Sequence, residues 1–176
     1  MLKKLISCNL AFVVSLYSFS QKNADTIAIL DAKVKIVVPK ELTPMSDEMF
    51  AIKYGNKKKP ILILSDKDAE VNLLADLTPQ PATENDLAAY RDFRIEQIKK
   101  NRSDFEIKDK GLKTVNGKKV AYFKFLSQAI DQKVFNYYFF ALVEGKVLLF
   151  TFNCIEKLQK DWEAKADTML STLKIR

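Results

Sequence analysis

Phe135-Asn136-Tyr137-Tyr138-Phe139-Phe140 and, after a turn, Leu148-Leu149-Phe150-Thr151-Phe152 decide the fold of this chain. Successive residues of a strand point to opposite faces, so a sheet that meets water on one side alternates apolar and polar side chains. These segments do not alternate. The first carries aromatic residues on both faces, and the second is nearly as apolar. A strand of this kind is covered on both faces. Helices on either side of the sheet provide such cover, so the expected architecture is a three-layer α-β-α sandwich with a central antiparallel sheet.

Outward from these strands the turn signals are local and clear. Glu144-Gly145 separates residues 134–143 from 146–154 and marks a tight hairpin. Asn116-Gly117 separates 104–115 from 119–127 and suits a type I′ turn, because both residue types tolerate positive φ. Residues 61–64 and 71–77 are apolar runs around Asp66-Lys67-Asp68, again a hairpin. Residues 25–39 read as one or two short strands, with Val34, Ile36 and Val38 alternating against lysines until Pro39 ends the ladder. Ser46 followed by Asp47 and Glu48 starts a short helix over 47–53. Thr83 caps a second helix reaching Asn101. A third, over 156–173, places Leu158, Trp162, Ala166, Met169 and Leu173 on one arc. The order of strands, helix, four antiparallel strands and helix is that of an α+β domain.

The N-terminus reads as an export signal. Lys3 and Lys4 precede an almost uncharged stretch, and Ser18 and Ser20 supply the small side chains that signal peptidase needs. Residues 1–20 are therefore expected to be a signal peptide cleaved after Ser20, with 21–32 as a lead-in to the domain. The apolar stretch is shorter than the roughly 20 residues a membrane-crossing helix needs. Cys8 precedes that stretch where a lipidated cysteine would end it, so an untethered, exported protein without a transmembrane segment is expected, periplasmic or secreted. No later segment has membrane-spanning length.

Composition excludes several chemistries. The chain has no histidine, which removes the commonest general base and the usual zinc ligand. Beyond the leader it has a single cysteine, Cys154, so no internal disulfide and no thiolate metal site can form. No catalytic residue, metal site or cofactor is expected. The formal charge of +7, from 29 basic and 22 acidic residues, favours acidic partners without specifying them.

Several wordings are familiar in combination. An early strand ends in proline, a helix opens Thr83-Glu84 and closes before Ser103-Asp104-Phe105, and Thr114-Val115-Asn116-Gly117-Lys118-Lys119-Val120-Ala121 forms a hairpin. The aromatic strands follow, then an amphipathic helix ending Ser171-Thr172-Leu173. This resembles the PsbP/DcrB-like superfamily, in particular its short exported Bacteroidetes-type members. The resemblance implies one domain over residues 33–176, an α-β-α sandwich used for binding or accessory roles. Members include a photosystem subunit, an envelope lipoprotein and an adaptor for a small GTPase, with no shared activity.

Four positions are candidate binding residues. Arg91 and Arg94 fall inside the apolar arc of Leu87, Tyr90, Ile95 and Ile98. They present a guanidinium pair to an anion or an acidic partner, or their stems cover apolar surface while their heads reach solvent or acidic neighbours. Asn136 and Asn153 interrupt apolar strands, as hydrogen-bonded edge features or as groups facing a cleft.

Other constellations read as structure. Lys57-Lys58-Lys59 and the nine basic residues between 99 and 124 lack the interleaved aromatics of a nucleic-acid surface, so no nucleic-acid partner is expected. Asp66, Asp68 and Glu70 lack the glycine and distal glutamate of a calcium loop. Asp47-Glu48 and Glu84-Asp86 sit at helix starts, where carboxylates cap. The aromatics of the two long strands line either a ligand cavity or a packed core. The expected function is a non-enzymatic binding module engaging an envelope protein, with a carrier of a small apolar or anionic ligand as the alternative.

Overall fold

The computed structural model describes residues 23–176; the expected leader and Cys8 lie outside the described residues. In chain order the elements are β1 (Ala24–Ile29), β2 (Val34–Pro39), β3 (Thr43–Pro44), α1 (Asp47–Tyr54), β4 (Leu62–Ser65) and β5 (Val71–Pro81). They continue with α2 (Leu87–Asn101), β6 (Glu106–Val115), β7 (Lys118–Gln128), β8 (Lys133–Val143), β9 (Lys146–Ile155), α3 (Gln159–Thr172) and β10 (Lys174–Ile175).

Seven strands form one antiparallel sheet in the order β3-β4-β5-β9-β8-β7-β6, with the aromatic pair β8 and β9 inside it. Both expected tight turns have two left-handed residues, Asn116-Gly117 (φ 48° and 79°) and Glu144-Gly145 (φ 50° and 71°), the type I′ signature. Ser46 Oγ accepts the Met49 N–H at 3.1 Å and caps α1.

One face of the sheet presents Leu73, Phe135, Tyr137, Phe139, Phe150 and Phe152 to the expected arc of α3. On the other face Phe123, Phe125 and Phe140 pack under Leu87 and Ile95 of α2, and Ile63 packs under Phe50 of α1. The double-sided cover read from β8 and β9 is present. The aromatics pack on one another, as in Phe139 on Phe150 with ring centres 4.8 Å apart.

The α3 layer holds more than a helix. β1, β2 and β10 form a separate three-stranded sheet beside α3, and Val34, Ile36 and Val38 enter the same core. The reason is dimensional. A helix of 14 residues is about 21 Å long and about 10 Å wide, whereas seven strands span roughly 29 Å. The expected lead-in over 21–32 contains β1, which pairs with β2 from Ala24 to Ile29, so packing begins before residue 33.

Both long helices begin later than their sequence signals, because Glu84–Asp86 and Glu156–Leu158 are 3-10 turns. At the first, the Asp86 carboxylate accepts from the Thr83 N–H and hydroxyl at 2.8 and 2.7 Å. β5 runs beyond Leu77 to Pro81. Its pairing with β9 is irregular between those residues, so Pro79 forfeits no regular ladder bond.

A lysine inside the α3 face escapes sequence reading. Lys124 of β7 is only 8% exposed at its side chain, and its Nζ donates to Glu163 Oε1 at 2.9 Å and Asp167 Oδ2 at 3.0 Å. The same ammonium lies 4.6 Å from the centre of the Tyr137 ring. Burial disfavours its charge, yet the two carboxylates outweigh burial and hold its pKa above the usual lysine value. Burial likewise opposes the Glu163 charge, but hydrogen bonds from Gln159 and Lys124 lower its pKa overall.

Two outcomes follow from this packing. Trp162→Asp buries an unpaired carboxylate against Phe152 and should lower stability by about 3–5 kcal/mol in urea unfolding at neutral pH. Lys124→Met leaves the partly exposed Glu163 and Asp167 carboxylates without their ammonium and should lower stability by about 1–3 kcal/mol at neutral pH. The lowered Glu163 pKa adds stability above its unfolded value near 4.5, lost as pH falls through the folded value. The variant should therefore lose less stability than wild type between pH 5 and pH 3, measured by the same unfolding curves.

Candidate functional site

α1 and α2 share one face of the large sheet, and between them β5 and β9 are incompletely covered. Leu149, Thr151 and Asn153 are half-buried there and Asp76 is exposed. Strand register arranges this floor in three rows. Phe140, Leu149 and Asp76 lie side by side on β8, β9 and β5. Next come Tyr138, Thr151, Leu74 and Ile63, and then Asn136, Asn153, Asn72 and Ser65, each row crossing β8, β9, β5 and β4.

The third row is polar across four strands. Asn72 Nδ2 donates to Asn153 Oδ1 at 3.0 Å and to the Ala69 carbonyl at 3.1 Å. Asn136 Nδ2 donates to Ser127 Oγ at 3.1 Å and to the Val134 carbonyl at 3.0 Å. Asn136 and Asn153 are therefore interior members of one row, far from the sheet edges. Buried amides persist because neighbours supply partners. Asn72 Oδ1 is the exception, buried without a hydrogen bond among the described residues.

The two arginines take different roads from the same helix. Arg91 closes a two-pronged pair on its neighbour Asp92, with Nε and Nη2 each 3.0 Å from a carboxylate oxygen. Lys110 of β6 reaches the same carboxylate at 3.2 Å. These contacts, Arg91 first, hold the Asp92 carboxyl below its ordinary pKa. Arg94 makes no ion pair among the described residues, and its Nε is buried without a hydrogen bond.

Arg94 and Arg102 both lie near Tyr138. Burial raises the pKa of that phenol, and the two guanidinium groups oppose the rise. Tyr54, at the end of α1, packs on Phe50 with ring centres 5.1 Å apart. Burial, with a smaller contribution from Tyr138, pushes the Tyr54 pKa up to about 12. The Tyr54 hydroxyl is buried without a partner as well. Each such orphan costs about 1–3 kcal/mol. Tyr54 and Asn72 were not singled out in the sequence, and Tyr138 was read only as one of the strand aromatics. Asn72 carries the same signal as the two asparagines that were, a polar residue in an apolar strand.

The open face holds two clefts along β5 and β9. One of about 190 Å³ lies beneath α1, with Phe50, Tyr54 and Leu149 as apolar lining and Lys57, Lys58 and Asp76 as charged lining. The other, about 290 Å³, lies beside α2 among Thr78, Tyr90, Phe93 and Val147, with Phe93 57% exposed. In the opposite layer, β2 and α3 border a hollow of about 330 Å³ at Val37, Pro39, Lys165 and Met169.

The acidic clusters are used locally. Asp66 Oδ1 accepts the Val71 N–H at 3.0 Å, Asp68 pairs with Lys67, and Glu70 pairs with Lys157. Asp47 pairs with Lys59. Among the described residues no helix is long and apolar enough to cross a membrane.

No protein-family model and no curated protein matches the sequence. Solved structures do match. The cyanobacterial PsbP (CyanoP) of Synechocystis sp. PCC 6803 superposes with a TM-score of 0.64 at 13% identity, covering 93% of this chain and 99% of its own. LpqN of Mycobacterium tuberculosis, involved in cell envelope biogenesis, gives 0.57 at 13% identity over 86% of this chain and 90% of its own. A protein of unknown function from Pseudomonas aeruginosa gives 0.56 at 14% identity, with 88% and 98% covered. At such identities the likeness establishes architecture alone: the chain has the α+β fold of PsbP-like proteins.

Proposed function

We propose that this chain is an exported, non-enzymatic binding module that engages a protein partner in the cell envelope. The observation that carries the reading is the open sheet face between α1 and α2. There a packed domain leaves apolar side chains beside unoccupied hydrogen-bonding groups. Its residues combine hydrogen-bonding groups of both kinds with apolar surface, suited to holding a partner. The accessory character of PsbP and the envelope role of LpqN support the same direction by analogy of fold. Export rests on residues 1–20, read as a leader cleaved after Ser20, and implies an untethered domain outside the cytoplasm.

A second reading, a carrier for a small apolar ligand, is favoured by the hollow between β2 and α3. Its volume of about 330 Å³ falls at the lower end of the range of small-molecule sites. A ligand mass retained by the purified protein in native mass spectrometry would select it.

Two measurements test the leading reading. N-terminal sequencing of exported protein should begin at Gln21, and a chain starting at Met1 would remove the compartment on which the reading depends. Cross-linking in intact cells, with a photoreactive residue replacing exposed Phe93, should trap a discrete envelope protein. A photoreactive residue at exposed Lys160 of α3 should not. Equal trapping from both positions, or none from either, contradicts the reading.

A further inference from the structure

We propose that the outer edge of β6 pairs with the same edge of a second copy of this chain, joining two seven-stranded sheets across a two-fold axis. This goes beyond the binding-module reading and does not rest on it. Edge strands expose unpaired backbone donors and acceptors, and proteins guard them with short strands, proline or charge. The β3 edge of this sheet follows that rule, with two residues ending in Pro44. β6 differs. It runs for ten residues without proline, and among the described residues only β7 pairs with it. Its three lysines are each engaged by an acid of their own chain: Lys108 by Glu106, Lys110 by Asp92 at 3.2 Å and Lys113 by Asp167 at 3.9 Å. Ile107 and Leu112, by contrast, are 40% and 48% exposed.

β6 is complementary to itself in one antiparallel register. Pairing with β7 assigns its side chains to faces. Ile107, Lys110 and Leu112 lie opposite Phe125, Phe123 and Ala121, on the α2 face. Glu106, Gly111 and Lys113 lie opposite Leu126, Tyr122 and Val120, on the α3 face. In a regular strand Ile107 and Leu112 would point to opposite faces, because an odd number of residues separates their positions. The irregularity between Ile107 and Asp109 inserts one residue and brings both to the α2 face. A two-fold axis perpendicular to the sheet at Lys110 keeps like faces together. It sets Ile107 against Leu112 of the second copy and Glu106 against Lys113 of the second copy, and symmetry repeats both pairs. Apolar partners and opposite charges are the favourable cross-strand combinations. Asp109 falls opposite Gly111 of the second copy, where the Tyr122 ring takes the place of a side chain: a Cβ at 111 would stand 3.0 Å from it. Lys110 meets its own copy on the axis, the one unfavourable pair, and Asp92 beside each ammonium reduces the repulsion.

Sedimentation velocity on the purified protein should show a dimer whose share rises with concentration. Glu106→Lys, which sets lysine against lysine, should return it to monomer, and adding Lys113→Glu should restore the dimer. Lys110→Thr removes the like charges on the axis and should tighten association several-fold. Cross-linking reads the register, in a Cys8→Ser background where the remaining thiol, Cys154, is buried. Lys110→Cys should form a disulfide-linked dimer on mild oxidation, because Cα atoms paired across antiparallel strands lie about 4.5–5.5 Å apart, within disulfide reach. Thr114→Cys, about 27 Å from its copy in this register, should not. Thermal unfolding checks that each variant is folded. Should Glu106→Lys not be, Leu112→Lys, which opposes Ile107 of the second copy, takes its place and should also give monomer. A monomer at millimolar protein, a dimer that the folded charge variant leaves intact, or equal cross-linking from residues 110 and 114 overturns the assignment.

Discussion

The structure depends on one constraint: β8 and β9 carry large apolar side chains on both faces. Phe135, Tyr137, Phe139, Phe150 and Phe152 fill one side, and Phe140, Val147 and Phe123 fill the other. Everything packed around the sheet serves to cover them, and the covering material is unevenly distributed. The α3 side is closed by a helix and a small sheet together. The opposite side has only α1 and α2, of 8 and 15 residues, set over different strands. The open cleft is what remains when two short helices cover a sheet seven strands wide.

Lys124, Arg91 and Arg94 lie against this apolar sheet in different surroundings. Lys124 is enclosed by Glu163, Asp167 and the Tyr137 ring and ties α3 to β7. Arg91 is satisfied by Asp92 and joins α2 to β6 through Lys110. Arg94 lies beside the phenols of Tyr90 and Tyr138. A buried cation with matched carboxylates contributes little net stability, because desolvation offsets most of the attraction. A half-buried cation without them retains its capacity to pair.

Much of this was legible in the sequence. The Asn116-Gly117 and Glu144-Gly145 turns, the apolar arc of α3 and the double-faced strands depend on neighbours within a few residues, and local chemistry fixes them. What was not legible depends on distant partners. Lys124 reads as one more surface lysine until Glu163 and Asp167 are brought opposite it. β10 has two residues and exists only because β2 offers an edge. Arg94, Asn136 and Asn153 stood out in the sequence as polar residues among apolar ones, and none of the three lines the clefts. Tyr54, an ordinary aromatic in sequence, acquires its meaning from the burial of its hydroxyl without a partner.

The row of Asn136, Asn153, Asn72 and Ser65 also bears on how the strands find their partners. Most sheets set register by alternation, since a slip of one residue turns the apolar face outward. β8 and β9, apolar on both sides, lack that safeguard, and a slip of two residues would preserve even the facing pattern. A polar row crossing four strands, three amides and the Ser65 hydroxyl, supplies the missing information. Any odd slip drives asparagines into the aromatic layer, and an even slip on one strand sets an amide opposite Thr151, Tyr138 or Leu74 without its mate. The polar row is thus an alignment mark, stating the pairing of a sheet whose apolar residues alone would leave it ambiguous.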